Sequence, residues 1–225
     1  MSGVLSIVAT PIGNLEDITF RAVRTLKEAD LILCEDTRVT KKLLLHFAIH
    51  TPTMAYHAHS KAGSIQKIIA LLEGGKHVAL VSDAGTPAIS DPGAFLVSQV
   101  RGALPDIQIV PIPGPSAVIA ALSVSGAPSD SYDFIGFLPH KKGRMTLLDA
   151  ISKNEGTMVL YESPHRIHKL LTELSTRMPE RTATVCRELT KKFEQVAVGS
   201  VESLASRIEK DIPARGEFVV VIHPC

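Results

Sequence analysis

The sequence predicts an α/β protein made of two α/β domains, and three observations carry that prediction. Short apolar runs alternate with amphipathic segments through the first half. The second half has longer strands set closer together, with fewer helices between them. In both halves the apolar runs stop abruptly at carboxylates or small, turn-forming residues. In the first half, strands are expected at 5–8, 31–34, 53–56, 78–82 and 107–111, and helices near 20–28, 40–47, 64–72 and 92–104. Val78, Ala79, Leu80 and Val81 suit a strand buried on both faces. Ile65, Ile68, Ile69 and Leu72 recur at three- and four-residue steps and form one helical stripe. Asp91 is placed to cap the helix that follows it. A further helix follows PIPGPS over 117–124, and Gly126-Ala127-Pro128 stops it. Beyond Ser129, strands are expected at 133–137, 157–161, 183–189, 195–199 and 217–222, with helices near 144–152, 166–178 and 203–210. The runs 183–189 and 195–199 read as an antiparallel hairpin, so the second sheet should be mixed. The boundary falls near 114–128, giving domains 1–114 and 115–225, and a cleft between two such domains is the natural ligand site.

Composition excludes several classes. At 225 residues with 45% hydrophobic and 21% charged, the chain has the make-up of a soluble globular protein. A net charge of +1 does not by itself build a basic nucleic-acid surface, although local clusters can. No signal peptide or run of membrane-spanning length is seen, so a cytoplasmic location without membrane attachment is expected. Cys34, Cys186 and Cys225 are odd in number and lack CxxC spacing, which argues against a disulfide framework and a structural zinc site. His57 and His59 are the closest histidine pair, but nothing near them completes a ligand set, and no metal is expected.

None of the fifteen glycines lies two positions from another, so the G-x-G of a dinucleotide-binding turn cannot occur. Gly75-Lys76 lacks the other residues of a P-loop, and G-x-S-x-G is absent. What remains is a series of small-residue loops, each directly after an expected strand. In an open α/β sheet ligands bind beyond the carboxyl ends of strands, so Asp83, at the end of one such run, is placed for recognition.

Seven motifs occur in order: VATPIGNLEDIT from Val8, CEDTR from Cys34, LVSDAGTPAISDPG from Leu80, IPGPSA from Ile112, GFLP from Gly136, YESPHR from Tyr161 and RELTKKFE from Arg187. Together they closely resemble the ribosomal RNA small-subunit methyltransferase I family of the tetrapyrrole methylase superfamily, over nearly the whole chain. The resemblance implies an S-adenosylmethionine-dependent enzyme that methylates the ribose 2'-hydroxyl of a cytidine in small-subunit rRNA. It also implies a homodimer and a cofactor folded between the two domains. Pro11, Ile12 and Gly13 would line the cofactor pocket, Asp83, Gly85 and Thr86 would supply its central loop, and Ser116 and Ala117 the next. Leu138, Glu162 and Ala214 are the corresponding candidates in the second domain. Many family members continue past the strand at 217–222 into a small helical module, whereas the sequence given stops at Cys225.

The residues fit that chemistry. Small side chains let backbone groups approach the cofactor, a carboxylate can meet its amine or ribose hydroxyls, and Ile12, Ile89 and Leu138 offer apolar walls for adenine. The sulfonium is an activated methyl donor, so alignment of the acceptor oxygen is the main task. Asp36 and Glu162 are the candidate catalytic carboxylates, with Glu35 also considered as base; each would need burial or a neighbouring charge to raise its pKa. Arg38, Lys141, Lys142, Arg144, Arg166, Arg187, Lys191 and Lys192 are the candidate RNA contacts. With 4% aromatics, no RNA-stacking motif is evident. Two alternatives remain: a methyltransferase of the same superfamily acting on a tetrapyrrole or other small molecule, and a non-catalytic RNA- or nucleotide-binding protein.

Overall fold

Two five-stranded sheets, each in its own compact unit, organise the chain: unit one is Met1–Ser116 and unit two is Ala117–Cys225. The structure, a computed structural model, describes residues 3–57 and 62–225; His59 therefore lies outside the described residues.

In unit one, β1 (Val4–Val8), β2 (Leu31–Cys34), β3 (Thr53–Ala55), β4 (His77–Leu80) and β5 (Gln108–Ile112) form a wholly parallel sheet in the order β3-β2-β4-β1-β5. Helices α1 (Phe20–Glu28), α2 (Thr37–His46), α3 (Ala62–Glu73) and α4 (Gly93–Ala103) make the crossovers. Strand residues alternate between two cores, as a period of two requires. Val8, Ile32, Cys34, Ala79 and Val81 pack against Ala22 and Leu26 of α1 and Leu44 of α2. Leu5, Leu33, Val78 and Leu80 pack against Ile68 and Leu72 of α3 and Leu96 and Val100 of α4. The chain thus winds one way through α1 and α2 and the other way through α3 and α4, which covers both faces.

Unit two is mixed. Its strands β6 (Tyr132–Phe137), β7 (Thr157–Glu162), β8 (Thr182–Arg187), β9 (Gln195–Ser200) and β10 (Phe218–Ile222) lie in the order β6-β7-β10-β8-β9. Only β6 and β7 are parallel; the β8–β9 hairpin is antiparallel as expected. One face carries α6 (Arg144–Lys153), α7 (Ile167–Ser175) and α8 (Val201–Arg207) over a single core that includes Met158, Leu160, Val185 and Val220. On the other face α5 (Ala117–Ser125) covers part of the sheet, with Thr184 Oγ1 donating to the Ser125 carbonyl at 3.2 Å.

The differences from the sequence expectation sit at element ends and have local causes. Helix α2 begins at Thr37, not Thr40, because the Asp36 carboxylate accepts from the Arg38 amide at 2.8 Å and caps it. Ser200 caps α8 in the same way, which moves its start to Val201, and its end at Arg207 precedes Glu209 with φ +67°. Asp91 is not the N-cap of α4, a position held by Pro92.

Candidate cofactor and substrate site

In unit one the chain leaves β1 toward α1 on one face and leaves the adjacent β4 toward α4 on the other. Loops that part in opposite directions open a crevice beyond the strand ends, the usual ligand position in such sheets. Four motif loops meet there. Thr10 and Gly85 exchange backbone hydrogen bonds, at 2.9 and 3.1 Å, joining the loops after β1 and β4. The Thr10 hydroxyl also donates to the Ser82 carbonyl at 3.1 Å, and Thr86 Oγ1 donates to Pro115 O at 3.1 Å, drawing in the loop after β5. Gly85 sits at φ +83°, and a Cβ there would stand 3.4 Å from the Ile12 side chain. The β2 loop joins through Asp83, whose carboxylate accepts from the Asp36 amide at 3.0 Å while its own amide faces the Glu35 carboxylate. Pro11, Ile12, Gly13, Asp83, Gly85, Thr86 and Ser116 are therefore held on one laced platform within unit one; Ala117 opens α5 in unit two.

The turn that presents Ile89 is held under strain. Ala88 and Ser90 adopt φ of +71° and +64°, a region that costs a non-glycine residue on the order of 1–3 kcal/mol. Asp91 Oδ1 offsets this by accepting from both the Ala88 and Gly93 amides at 2.7 Å. Gly93 is needed because a Cβ would lie 2.9 Å from the Ala88 nitrogen. Asp91 thus binds the first residue of α4, yet its main work is to fix the loop. The sequence pattern placed Asp91 at the helix start and gave no sign of this clamp.

The carboxylates of the platform divide sharply. The Arg38 guanidinium, 2.6 Å from Asp36, holds that carboxyl far below the usual range, which corrects its assignment as a base. Glu35 is pushed upward by burial and by neighbouring Asp91 and Asp83. It is the carboxylate whose surroundings favour taking a proton.

In unit two the strand register brings four further segments to one edge. Phe137 pairs with Tyr161, Phe218 with both Glu162 and Arg187, and Arg187 with Gln195. The loops after β6, β7 and β8 and the approach to β10 therefore share one end of the sheet. Most of the charge there is spent internally. Glu162 is 2% exposed; its Oε1 accepts from the Ser163 amide and its Oε2 from Arg166 Nη2, at 2.8 and 2.9 Å. Arg166 Nη2 also donates to the Leu138 carbonyl at 2.6 Å. A carboxylate bound in this way holds the loop after β7 in place, and that geometry speaks against the catalytic assignment of Glu162.

The RNA candidates separate likewise. Arg144, 4% exposed, donates to Glu173 through Nε and Nη2 at 2.9 and 2.6 Å. Arg187 is buried and donates to the carbonyls of Arg215 and Phe193. Lys191 pairs with Glu188 and Glu217 at 2.9 and 2.7 Å. Arg144, Arg166, Arg187 and Lys191 are therefore scaffold residues, whereas Lys141, Lys142 and Lys192 are exposed; Arg38 is exposed but tied to Asp36. Leu138 lies in the unit-two core, and the half-buried Ala214 packs against that core. Ile89 is exposed and Ile12 is buried in the platform.

Among the described residues no cluster of three His, Cys, Asp or Glu is arranged to hold a metal. Burial pushes the Cys186 thiol up to about 12, which leaves it unreactive. The platform does fit S-adenosylmethionine: Gly85 permits close backbone approach, and Asp83 and Glu35 offer negative charge to a sulfonium or ammonium group.

Fold and platform together define a tetrapyrrole methylase, and the family profile "Tetrapyrrole (Corrin/Porphyrin) Methylases" matches residues 4–205. A solved structure of uroporphyrin-III C-methyl transferase from Thermus thermophilus complexed with S-adenyl homocysteine shares the fold, with TM-score 0.65 and 18% identity, covering 98% of this chain and 97% of that one. Among sequence relatives, the ribosomal RNA small subunit methyltransferase I of Halalkalibacterium halodurans is 48% identical over 222 residues, 98% of this chain and 76% of that one. The protein of the same name from Synechocystis sp. is 49% identical, covering 98% of this chain and 78% of that one. The chain belongs to the ribosomal RNA small subunit methyltransferase I family of tetrapyrrole methylases.

Proposed function

We infer that this protein transfers a methyl group from S-adenosylmethionine to the ribose 2'-hydroxyl of a cytidine in small-subunit ribosomal RNA, in the cytoplasm. The observation that carries this is near-half identity, across almost the full chain, to proteins named ribosomal RNA small subunit methyltransferase I. The bound cofactor supplies an activated methyl group on sulfur. The chain's own task is to hold it and to align and deprotonate the acceptor. Asp83, Gly85, Thr86 and the loop of Pro11, Ile12 and Gly13 would hold the cofactor, with Ser116 and Ala117 following the β5 loop. Glu35 is the proton acceptor in this reading. Lys141, Lys142 and Lys192 would meet phosphates, and their contribution would weaken with salt.

A second copy completes the assembly in this reading. Helix α5 is apolar except for Ser123 and Ser125, yet Ile119 and Val124 are exposed, and Val196 and Val198 of β9 are exposed on the sheet face that α5 partly covers. Light scattering should give twice the chain mass; a monomer at micromolar concentration would refute the homodimer.

Transfer of labelled methyl groups to small ribosomal subunits from a strain lacking the activity tests the function. Transfer to a tetrapyrrole and not to subunits would favour the small-molecule alternative. Absence of S-adenosylhomocysteine binding by calorimetry would favour a non-catalytic protein.

A further inference from the structure

The segment between β8 and β9 is built with more care than a hairpin connection requires. Glu188 and Thr190, neither of them glycine, take φ of +50° and +65°. Five side chains fix the turn: Lys191 bridges Glu188 and Glu217, Glu194 accepts from the Thr190 amide at 2.6 Å, and the buried Arg187 guanidinium donates to the Phe193 carbonyl at 3.0 Å. What this construction presents is an aromatic ring. Phe193 is 62% exposed, although the Lys192 ammonium lies 5.7 Å from its centroid. A second aromatic, Phe137, stands 57% exposed at the same end of the sheet. The register shift between Phe134 and Gly136 brings Phe134 and Phe137 onto the same ring, Tyr161, at 5.0 and 5.5 Å. Exposed Lys141, Lys142 and Lys192 accompany them, while the acidic residues of this edge are engaged: Glu162 with Arg166, Glu188 and Glu217 with Lys191, Glu194 with a backbone amide.

We propose that this loop end of the second sheet docks single-stranded RNA, with a base stacked on Phe193, a second on Phe137, and phosphates met by Lys141, Lys142 and Lys192. Rigid aromatic platforms beside exposed cations are what unpaired nucleotides require, since every base offers a π-face and every linkage a negative charge. A purely apolar protein contact would make no use of the lysines. The proposal rests on the rRNA reading above and adds the residues that would seat the substrate.

The test compares wild type with Phe193→Ala, Phe193→Tyr and Lys141→Gln/Lys142→Gln in methyl transfer to small subunits and in binding of a fluorescent single-stranded pyrimidine-rich RNA. Phe193→Ala should raise KM for subunits and weaken oligonucleotide binding about 5- to 100-fold, with S-adenosylhomocysteine affinity unchanged. Phe193→Tyr should restore both. The double lysine variant should lower the slope of log affinity against log salt by about 1.4. An alanine variant within twofold of wild type in both assays overturns the proposal. So does one whose only change is loss of the dimer, which would make Phe193 a contact between copies. If wild type methylates no subunits, the rRNA reading fails, and oligonucleotide binding still decides the stacking proposal.

Discussion

The strand ends of the two sheets solve one problem, holding ligand loops still, with opposite means. In unit one the loops are laced largely through backbone groups and short hydroxyls, Thr10 with Gly85 and Thr86 with Pro115, and where a carboxylate joins in, as at Asp83, it accepts from a backbone amide. In unit two, long charged side chains do the holding: Arg166, Arg187 and Lys191 all end on carboxylates or carbonyls within the edge. The lesson is that charge density is a poor guide to ligand contact. The richer cluster is mostly spent on holding its own loops, and the sparser one is the platform proposed above for the cofactor.

That contrast is breakable. Glu162→Ala leaves the Arg166 guanidinium without its carboxylate and should cost about 3–5 kcal/mol in urea unfolding. Stability held within about 1 kcal/mol of wild type, with methyl transfer lost, would return Glu162 to the chemistry. In unit one the expected signature is reversed. Glu35→Gln should lower kcat by about 100-fold or more while leaving the fold intact. Burial, Asp91 and Asp83 raise the folded pKa of Glu35 above its unfolded value near 4.5, so its stability contribution is present below that pH and lost as pH rises through the folded value. The Gln variant should therefore melt higher than wild type at neutral pH, with the gain vanishing in acid. A variant that melts lower at neutral pH would contradict this.

Asp91→Ala removes an acceptor shared by two amides and should cost about 2 kcal/mol, raising the cofactor KM more than it lowers kcat. Asp91→Asn keeps an acceptor and should recover most of the loss; failure to do so would show that the charge, not the geometry, matters. Arg38→Ala should have the smallest effect, because that ion pair is exposed. Asp36 has a depressed folded pKa, so whatever stability the pair gives is present above the ordinary carboxylate range and lost as pH falls through the folded value. The difference from wild type in a melting series should close in acid.

The sequence made the strands legible because apolar runs such as Val78–Val81 end at residues that cannot extend them. The mixed second sheet was legible in the short hairpin spacing. The platform loops could be found from their small residues, though not which loops touch, since the order β3-β2-β4-β1-β5 leaves no local trace. Charge partnership was illegible for the same reason. Lys142 and Arg144 look alike two positions apart, yet Arg144 turns inward to Glu173, 29 residues away, as α6 begins. Glu35 and Asp36 are adjacent, but one faces a carboxylate cluster and the other an arginine.

The paired amides of Thr10 and Gly85 lie beyond the last regular residues of their strands, where loop amides would ordinarily exchange freely with solvent. Because each donates to the other's carbonyl, their deuterium uptake should be as slow as that of the central strands. The platform is then part of the cooperative unfolding unit of its sheet, and it cannot breathe to admit or release a ligand without loosening β1 and β4 with it.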